Sequence, residues 1–177
     1  MLGFGRRTGA GNLDCLCRSQ PYSGADPDHP GRAGLRQTDE LAAGHFEGAR
    51  EFLDELRTFT QVIIISDTFT EFAAPLMKKL GWPTLFCNSL VVAPDGEITG
   101  FKMRTENSKL STVRALQSIG FETIAAGDSY NDLAMIQAGK SGFLFRTTEQ
   151  IKKDYPQIPA FETYEELMRG IRGAMGV

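Results

Sequence analysis

The sequence predicts an α/β fold, a mostly parallel sheet with helices on both faces, and three observations carry that expectation. Val62-Ile63-Ile64-Ile65 is an unbroken β-branched run, the pattern of a strand buried on both sides rather than one with a wet face. Thr123 to Ala126 is a second short apolar stretch that runs through an acidic loop straight into a helical period. Around these, strands and helices alternate from Glu47 onward, the pattern of crossover connections between parallel strands.

In chain order, Ala49, Phe52, Leu53 and Leu56 share one helical face and precede the strand Val62 to Ser66. Phe72, Leu76 and Leu80 form the next helical face, which Gly81 and Pro83 end. Leu90-Val-Val and Glu97-Ile-Thr flank Pro94-Asp95-Gly96, a composition that makes a hairpin turn. Asn107 or Ser108 can cap a helix whose apolar face is Leu110, Val113 and Leu116. After the strand Thr123 to Ala126 come a helix through Leu133 and Ile136, a strand at 142–145, and helices near 149–154 and 164–172.

Residues 1–45 read differently from residues 46–177. Gly3, Gly5, Gly9, Gly11, Pro21, Gly24, Pro27, Pro30, Gly31 and Gly34 interrupt every window, so no strand or helix period is sustained there. With few aliphatics to offset the entropy of ordering, a poorly ordered segment is expected ahead of one core domain. Of the 177 residues 41% are hydrophobic and 23% charged, and the net charge is −3, which gives no electrostatic drive toward nucleic acid or an anionic membrane. No apolar stretch approaches the roughly 18 residues of a spanning helix. Cys15, Cys17 and Cys87 cannot all pair within one chain and lack the ligand spacing of a zinc site, so a reducing, cytoplasmic setting is expected.

Ligands of open α/β sheets bind at the carboxyl ends of strands, which directs attention to two loops. In Gly127-Asp128-Ser129-Tyr130-Asn131-Asp132, Asp128 and Asp132 offer the hard oxygens that suit Mg²⁺, although Asp132 or Asn131 could equally cap the following helix. In Ser66-Asp67-Thr68-Phe69, the Ser66 hydroxyl and the amides of Asp67 and Thr68 could bind phosphate oxygens, or form an ordinary Ser/Thr turn. Lys109 near a helix start could offset the charge of a transferring phosphoryl group, or simply be a solvated surface lysine. His29 and His45 have no evident partner.

Taken in order, Val62-Ile-Ile-Ile-Ser66-Asp67-Thr68, Lys109 at a helix start and Gly127-Asp128-Ser129-Tyr130-Asn131-Asp132 resemble the second, third and fourth motifs of the haloacid dehalogenase (HAD) superfamily of phosphatases. The Ser-Asp-Thr-Phe loop, the Pro-Asp-Gly hairpin and the Ala-Ala-Gly-Asp-Ser-Tyr-Asn-Asp loop are most similar to phosphoserine phosphatases, including the type that also transfers phosphate to homoserine. The resemblance spans about Phe46 to Arg172. It implies a Rossmannoid three-layer sandwich and a Mg²⁺-dependent phosphomonoesterase of serine biosynthesis. A strand-end aspartate would attack the phosphoryl group, and the aspartyl-phosphate would pass it on to water or another alcohol. By motif position, Ser66, Asp67, Thr68 and Asn131 would bind substrate phosphate, Lys109 would be catalytic, and Asp128 and Asp132 would serve the metal. The implied partner is a small phosphorylated metabolite such as phosphoserine.

The family's first motif, an apolar strand followed by Asp-x-Asp, is not recognisable. Leu13-Asp14-Cys15-Leu16-Cys17 comes nearest but lacks the preceding apolar run and the second aspartate. The first strand, which in this family lies between the strands ending at Ser66 and Gly127, is therefore expected to be missing or replaced, together with the cap. Impaired turnover is expected too, as in a truncated or misread version of the family sequence. The alternatives are a non-catalytic remnant that binds Mg²⁺, phosphate or a partner, and a receiver-like signalling domain, whose acidic pair is equally absent. A homodimer is one way in which the sheet could be completed.

Overall fold

The computed structural model describes residues 47–177 and, nearer the N-terminus, the backbone of Gly3–Phe4 and Gly11–Leu13. The division expected between residues 45 and 46, together with Cys15, Cys17, His29, His45 and Asp14, lies outside the described residues.

The strands are β1 (Gly3–Phe4), β2 (Gly11–Leu13), β3 (Gln61–Phe69), β4 (Thr84–Val92), β5 (Ile98–Lys102), β6 (Ile124–Gly127), β7 (Ser141–Phe145) and β8 (Ala160–Phe161). The helices are α1 (Ala49–Arg57), α2 (Thr70–Lys79), α3 (Ser108–Ser118), α4 (Leu133–Ala138), α5 (Glu149–Asp154) and α6 (Tyr164–Met175). One sheet runs in the order β5-β4-β3-β2-β6-β7-β8, with β1 also pairing β3. Apart from the antiparallel pairs β4–β5 and β1–β3, its pairings are parallel.

The isoleucine run shows why the sheet must be covered twice. Side chains alternate along a strand, so Val62 and Ile64 enter one apolar layer with α1, α2 and α6, while Ile63 and Ile65 enter the other with α3, α4 and α5. Each such fully buried side chain contributes roughly 1.5–3 kcal/mol relative to exposure. This is the three-layer α/β arrangement that the sequence predicts.

The N-terminal segment departs from the expectation that no window before Gly44 forms a strand. Gly11 aligns with both Val62 of β3 and Ile124 of β6, and Asn12 and Leu13 continue in parallel beside Ala125 and Ala126. The central slot is thus filled by a strand of three residues. Two flanking strands with unpaired edges supply backbone donors and acceptors that almost any extended segment can satisfy, whatever its side chains.

Smaller differences follow from packing. In α2 the buried face is Ala73 and Met77, continued by Leu80, whereas Phe72 is half exposed and sits edge-on to Phe69. The hairpin forms as expected, with the amide of Gly96 (φ +91°) donating to Ala93 and the Asp95 carboxylate accepting from the Glu97 amide. Asn107 does occupy the N-cap position of α3, but in a left-handed conformation (φ +47°) and without a capping side-chain bond. The two-residue strand β8, absent from the sequence reading, carries too few residues for any period to reveal it.

Candidate functional site

β3, β2 and β6 are parallel, so the loops that follow β3 and β6 emerge at the same edge of the sheet. β3 continues through Ser66 to Phe69, and Ser66 is buried with its hydroxyl oxygen accepting the Thr68 amide at 3.3 Å. The Ser/Thr turn is therefore real, and it curls the backbone of Asp67 and Thr68 at the strand end. Thr68 is half-buried and Asp67 exposed.

Lys109, in the first turn of α3, is only 8% exposed. Its ammonium lies 3.0 Å from Asp67 Oδ2 and 2.8 Å from Asp132 Oδ1, so it joins the two loops. A buried ammonium is costly unless paired, and two carboxylates pair this one. The reading of Lys109 as a solvated surface lysine is corrected by this geometry.

Asp132 is fully buried. Its Oδ2 accepts from the Asp128 amide (3.0 Å), the Ser129 amide (3.0 Å) and the Ser129 hydroxyl (2.9 Å), while Oδ1 accepts from Lys109. The carboxylate does not cap α4, as one sequence reading had it; it reaches back and closes a capping box over the 3₁₀ turn Tyr130–Asp132. Gly127 makes this approach feasible, because a Cβ there would lie 2.5 Å from the Asp132 side chain.

Asp128 is half-buried at the end of β6, and its carbonyl accepts from the Thr147 hydroxyl at 2.6 Å. Asn131 is exposed within the 3₁₀ turn. The Tyr130 hydroxyl donates to Asp154 at 2.5 Å, and this bond to a carboxylate holds its proton more tightly than an ordinary phenol. The loop is thereby anchored to α5.

Among the described residues no three His, Cys, Asp or Glu side chains gather as a metal cluster. Mg²⁺ asks for less, taking one or two carboxylates and completing its octahedron with water and phosphate. The Asp128 carboxylate at this strand edge suits that demand, whereas both Asp132 oxygens accept hydrogen bonds and Asp67 is held by Lys109 and Ser108. No described helix is long and apolar enough to cross a membrane.

Four contributors escaped the sequence reading: Asn88, Arg104, Ser108 and Thr147. Asn88 Nδ2 donates to the Asp67 carbonyl at 2.9 Å, and its Oδ1 accepts the Arg104 amide at 3.0 Å. Arg104 donates to the Ser108 carbonyl (3.1 Å) and to the Thr112 hydroxyl, and Ser108 Oγ lies 3.4 Å from Asp67 Oδ1. The one available signal was an amide inside the otherwise apolar stretch Leu85-Phe-Cys-Asn88-Ser-Leu90-Val-Val.

Comparison with known proteins agrees with the geometry. A family model described as haloacid dehalogenase-like hydrolase matches residues 3–140. Phosphoserine phosphatase ThrH of Pseudomonas aeruginosa is 46% identical over 180 residues, covering 95% of this chain and 86% of that protein. A phosphoserine phosphatase of Pseudomonas syringae pv. tomato is 42% identical over 123 residues, covering 70% of this chain and 52% of its own length. Among solved structures, a phospho-aspartyl intermediate analogue of phosphoserine phosphatase aligns with TM-score 0.56 at 26% identity, covering 70% of this chain and 63% of that one. A substrate-bound phosphoserine phosphatase complex aligns with TM-score 0.55 at 25% identity, covering 70% and 62%. With three motif segments brought to one strand edge and the family match spanning most of its length, this chain belongs to the haloacid dehalogenase-like hydrolases.

Proposed function

We propose that this protein is a Mg²⁺-dependent phosphomonoesterase of the phosphoserine phosphatase type, with turnover impaired by its unusual first motif. The observation that carries the reading is the buried Lys109 held between Asp67 and Asp132 at the strand edge. A fixed cation there offsets the charge of a phosphoryl group in transfer without reorganising at the moment of reaction. The names of the relatives, phosphoserine phosphatases in both curated cases, support phosphoserine as substrate.

In this reading the Ser66 hydroxyl and the Asp67 amide receive phosphoryl oxygens, the Thr68 amide shapes that turn beside them, and Asn131 steadies the substrate phosphate from the opposite loop. Asp128 is the direct carboxylate ligand of Mg²⁺, which neutralises phosphate charge when bound. Asp132 serves the metal site indirectly, fixing the Asp128 backbone and orienting Lys109. Asp14 follows β2 directly in sequence and is the candidate attacking carboxylate, while Leu16 stands where a second aspartate would move the proton. Homoserine serves as an alternative acceptor of the phosphoryl group. The free Cys87 thiol supports a reducing, cytoplasmic setting.

Phosphate release from phosphoserine with and without Mg²⁺ tests this. Slow Mg²⁺-dependent release is expected, abolished in Lys109→Ala, Asp128→Ala and Asp14→Asn and raised in Leu16→Asp. With homoserine added, phosphohomoserine should form. Turnover insensitive to Asp14→Asn would refute the assigned nucleophile, and no turnover with Mg²⁺-dependent phosphate binding would favour a non-catalytic remnant, a reading that Leu16 itself motivates.

A further inference from the structure

We infer that Asn88 is a positioning residue that sets the phosphate-binding loop in register with the helix carrying Lys109. The inference rests on the proposed function and extends it to a residue that contacts neither phosphate nor metal in that reading.

Asn88 lies in β4, one strand removed from the site, and is 1% exposed. Buried amides are rare in strands unless their donors and acceptors are met. Here both ends of the amide are engaged, on two different segments. Nδ2 donates to the carbonyl of Asp67, just past Ser66 in the last residues of β3, and Oδ1 accepts the amide of Arg104, in the stretch leading into α3. Its own carbonyl accepts from Thr70, at the start of α2.

The links close into a ring. From Arg104 the guanidinium continues to the Ser108 carbonyl and the Thr112 hydroxyl inside α3, and Lys109 of that helix returns to Asp67. The β3–β4 register shifts between Ile65 and Phe69, and Phe69 pairs with Asn88 itself. Ladder bonds alone therefore do not define the backbone of Asp67 and Thr68, and the Asn88 side chain supplies the missing constraint. Loss of either arm lets the loop that binds phosphate and the cation that neutralises it move independently.

Asn88→Asp tests the inference, because it keeps an acceptor for Arg104 but turns the donor facing the Asp67 carbonyl into an oxygen. Arg104→Met keeps the backbone amide that Asn88 accepts but removes the guanidinium bonds to the Ser108 carbonyl and the Thr112 hydroxyl, so it tests the ring's link into α3 should the first variant fold poorly. In amide-resolved NMR, Asp67, Thr68 and Lys109 resonances should shift together in each variant while those of β7 and α6 stay in place. Steady-state kinetics with phosphoserine should show kcat reduced about 10- to 100-fold, the cost of misplacing reacting groups by about an ångström, with KM changed less. Inorganic phosphate binding should weaken in parallel. An active or phosphate-binding wild type whose variants keep its kcat and its Thr68 and Lys109 resonances would overturn this inference alone. A wild type that neither turns over phosphoserine nor binds inorganic phosphate would overturn the proposed function, and the positioning role with it.

Discussion

Helices α1 and α3 pack on opposite faces of the same sheet, and their buried faces are made of different chemistry. In α1 the buried residues are Ala49, Phe52, Leu53 and Leu56, a stripe with no polar member. In α3 they are Ser108, Lys109, Thr112 and Val113, with Leu116 only partly buried. The apolar stripe holds the helix by removing hydrocarbon from water. The polar one incurs desolvation at every group and offsets it with specific partners: Asp67 and Asp132 for Lys109, and the Ser108 carbonyl for Thr112. A polar stripe turned inward at a strand edge marks the end of the molecule where chemistry is done, whereas the apolar stripe marks support.

Substitutions can break or sharpen that contrast. Lys109→Met should have the largest effect, because it leaves the fully buried Asp132 carboxylate without its cation. About 3–5 kcal/mol of stability should be lost on urea unfolding, and phosphoserine turnover should fall by roughly 10²–10³. Leu53→Ala, on the apolar side, should cost about 2–5 kcal/mol yet leave kcat per folded molecule unchanged; a large change in kcat would erase the distinction between the two helices.

Gly127→Ala sits between these cases. Its new methyl would collide with Asp132, so about 1–3 kcal/mol should be lost to overpacking, and activity should fall more than stability alone accounts for. Thr163→Ala removes the hydroxyl that accepts the Glu166 amide at the start of α6 and should cost about 1 kcal/mol, readable as a lowered Tm with kinetics intact.

Acid should weaken the supporting side by a smaller step. The Glu162 and Thr163 amides that donate to Glu166 hold its carboxyl below the usual carboxylate range. A carboxyl whose folded pKa is depressed contributes stability above its unfolded pKa and loses that contribution as pH falls through the folded value. Below pH about 4, set by the ordinary glutamate pKa, wild-type stability should therefore decline more steeply than that of Glu166→Gln; equal slopes would show that the capping box carries no pH-linked stability.

Legibility followed the same divide. The α1 stripe, the Val62–Ile65 strand and the Pro94–Gly96 turn were readable because each depends on side-chain periodicity or on local backbone preference. The α2 face was read one position out of place: Phe72 completes a helical spacing with Leu76 and Leu80, yet it stands half exposed beside Phe69. Within the site, Ser66, Lys109, Asp128 and Asp132 were readable as an ordered set, although Lys109 alone looked like a surface residue. Asn88 was not readable. Its partners are the Asp67 carbonyl and the Arg104 amide, and backbone groups leave no mark in a sequence.

By itself, then, the sequence determined that a mostly parallel sheet lies between two helical layers and that its strand ends carry hard oxygens and one lysine, because periodicity and residue chemistry are local properties. Only the tertiary structure decided three further matters. Three residues with no strand pattern take the central slot, since two open backbone edges select for hydrogen-bonding geometry rather than side chains. Lys109 is buried, since two carboxylates brought together from distant segments offset its desolvation. Asp132 turns back over Gly127 rather than forward to cap α4, since the missing Cβ of Gly127 leaves room for its side chain and two loop amides with the Ser129 hydroxyl receive its carboxylate.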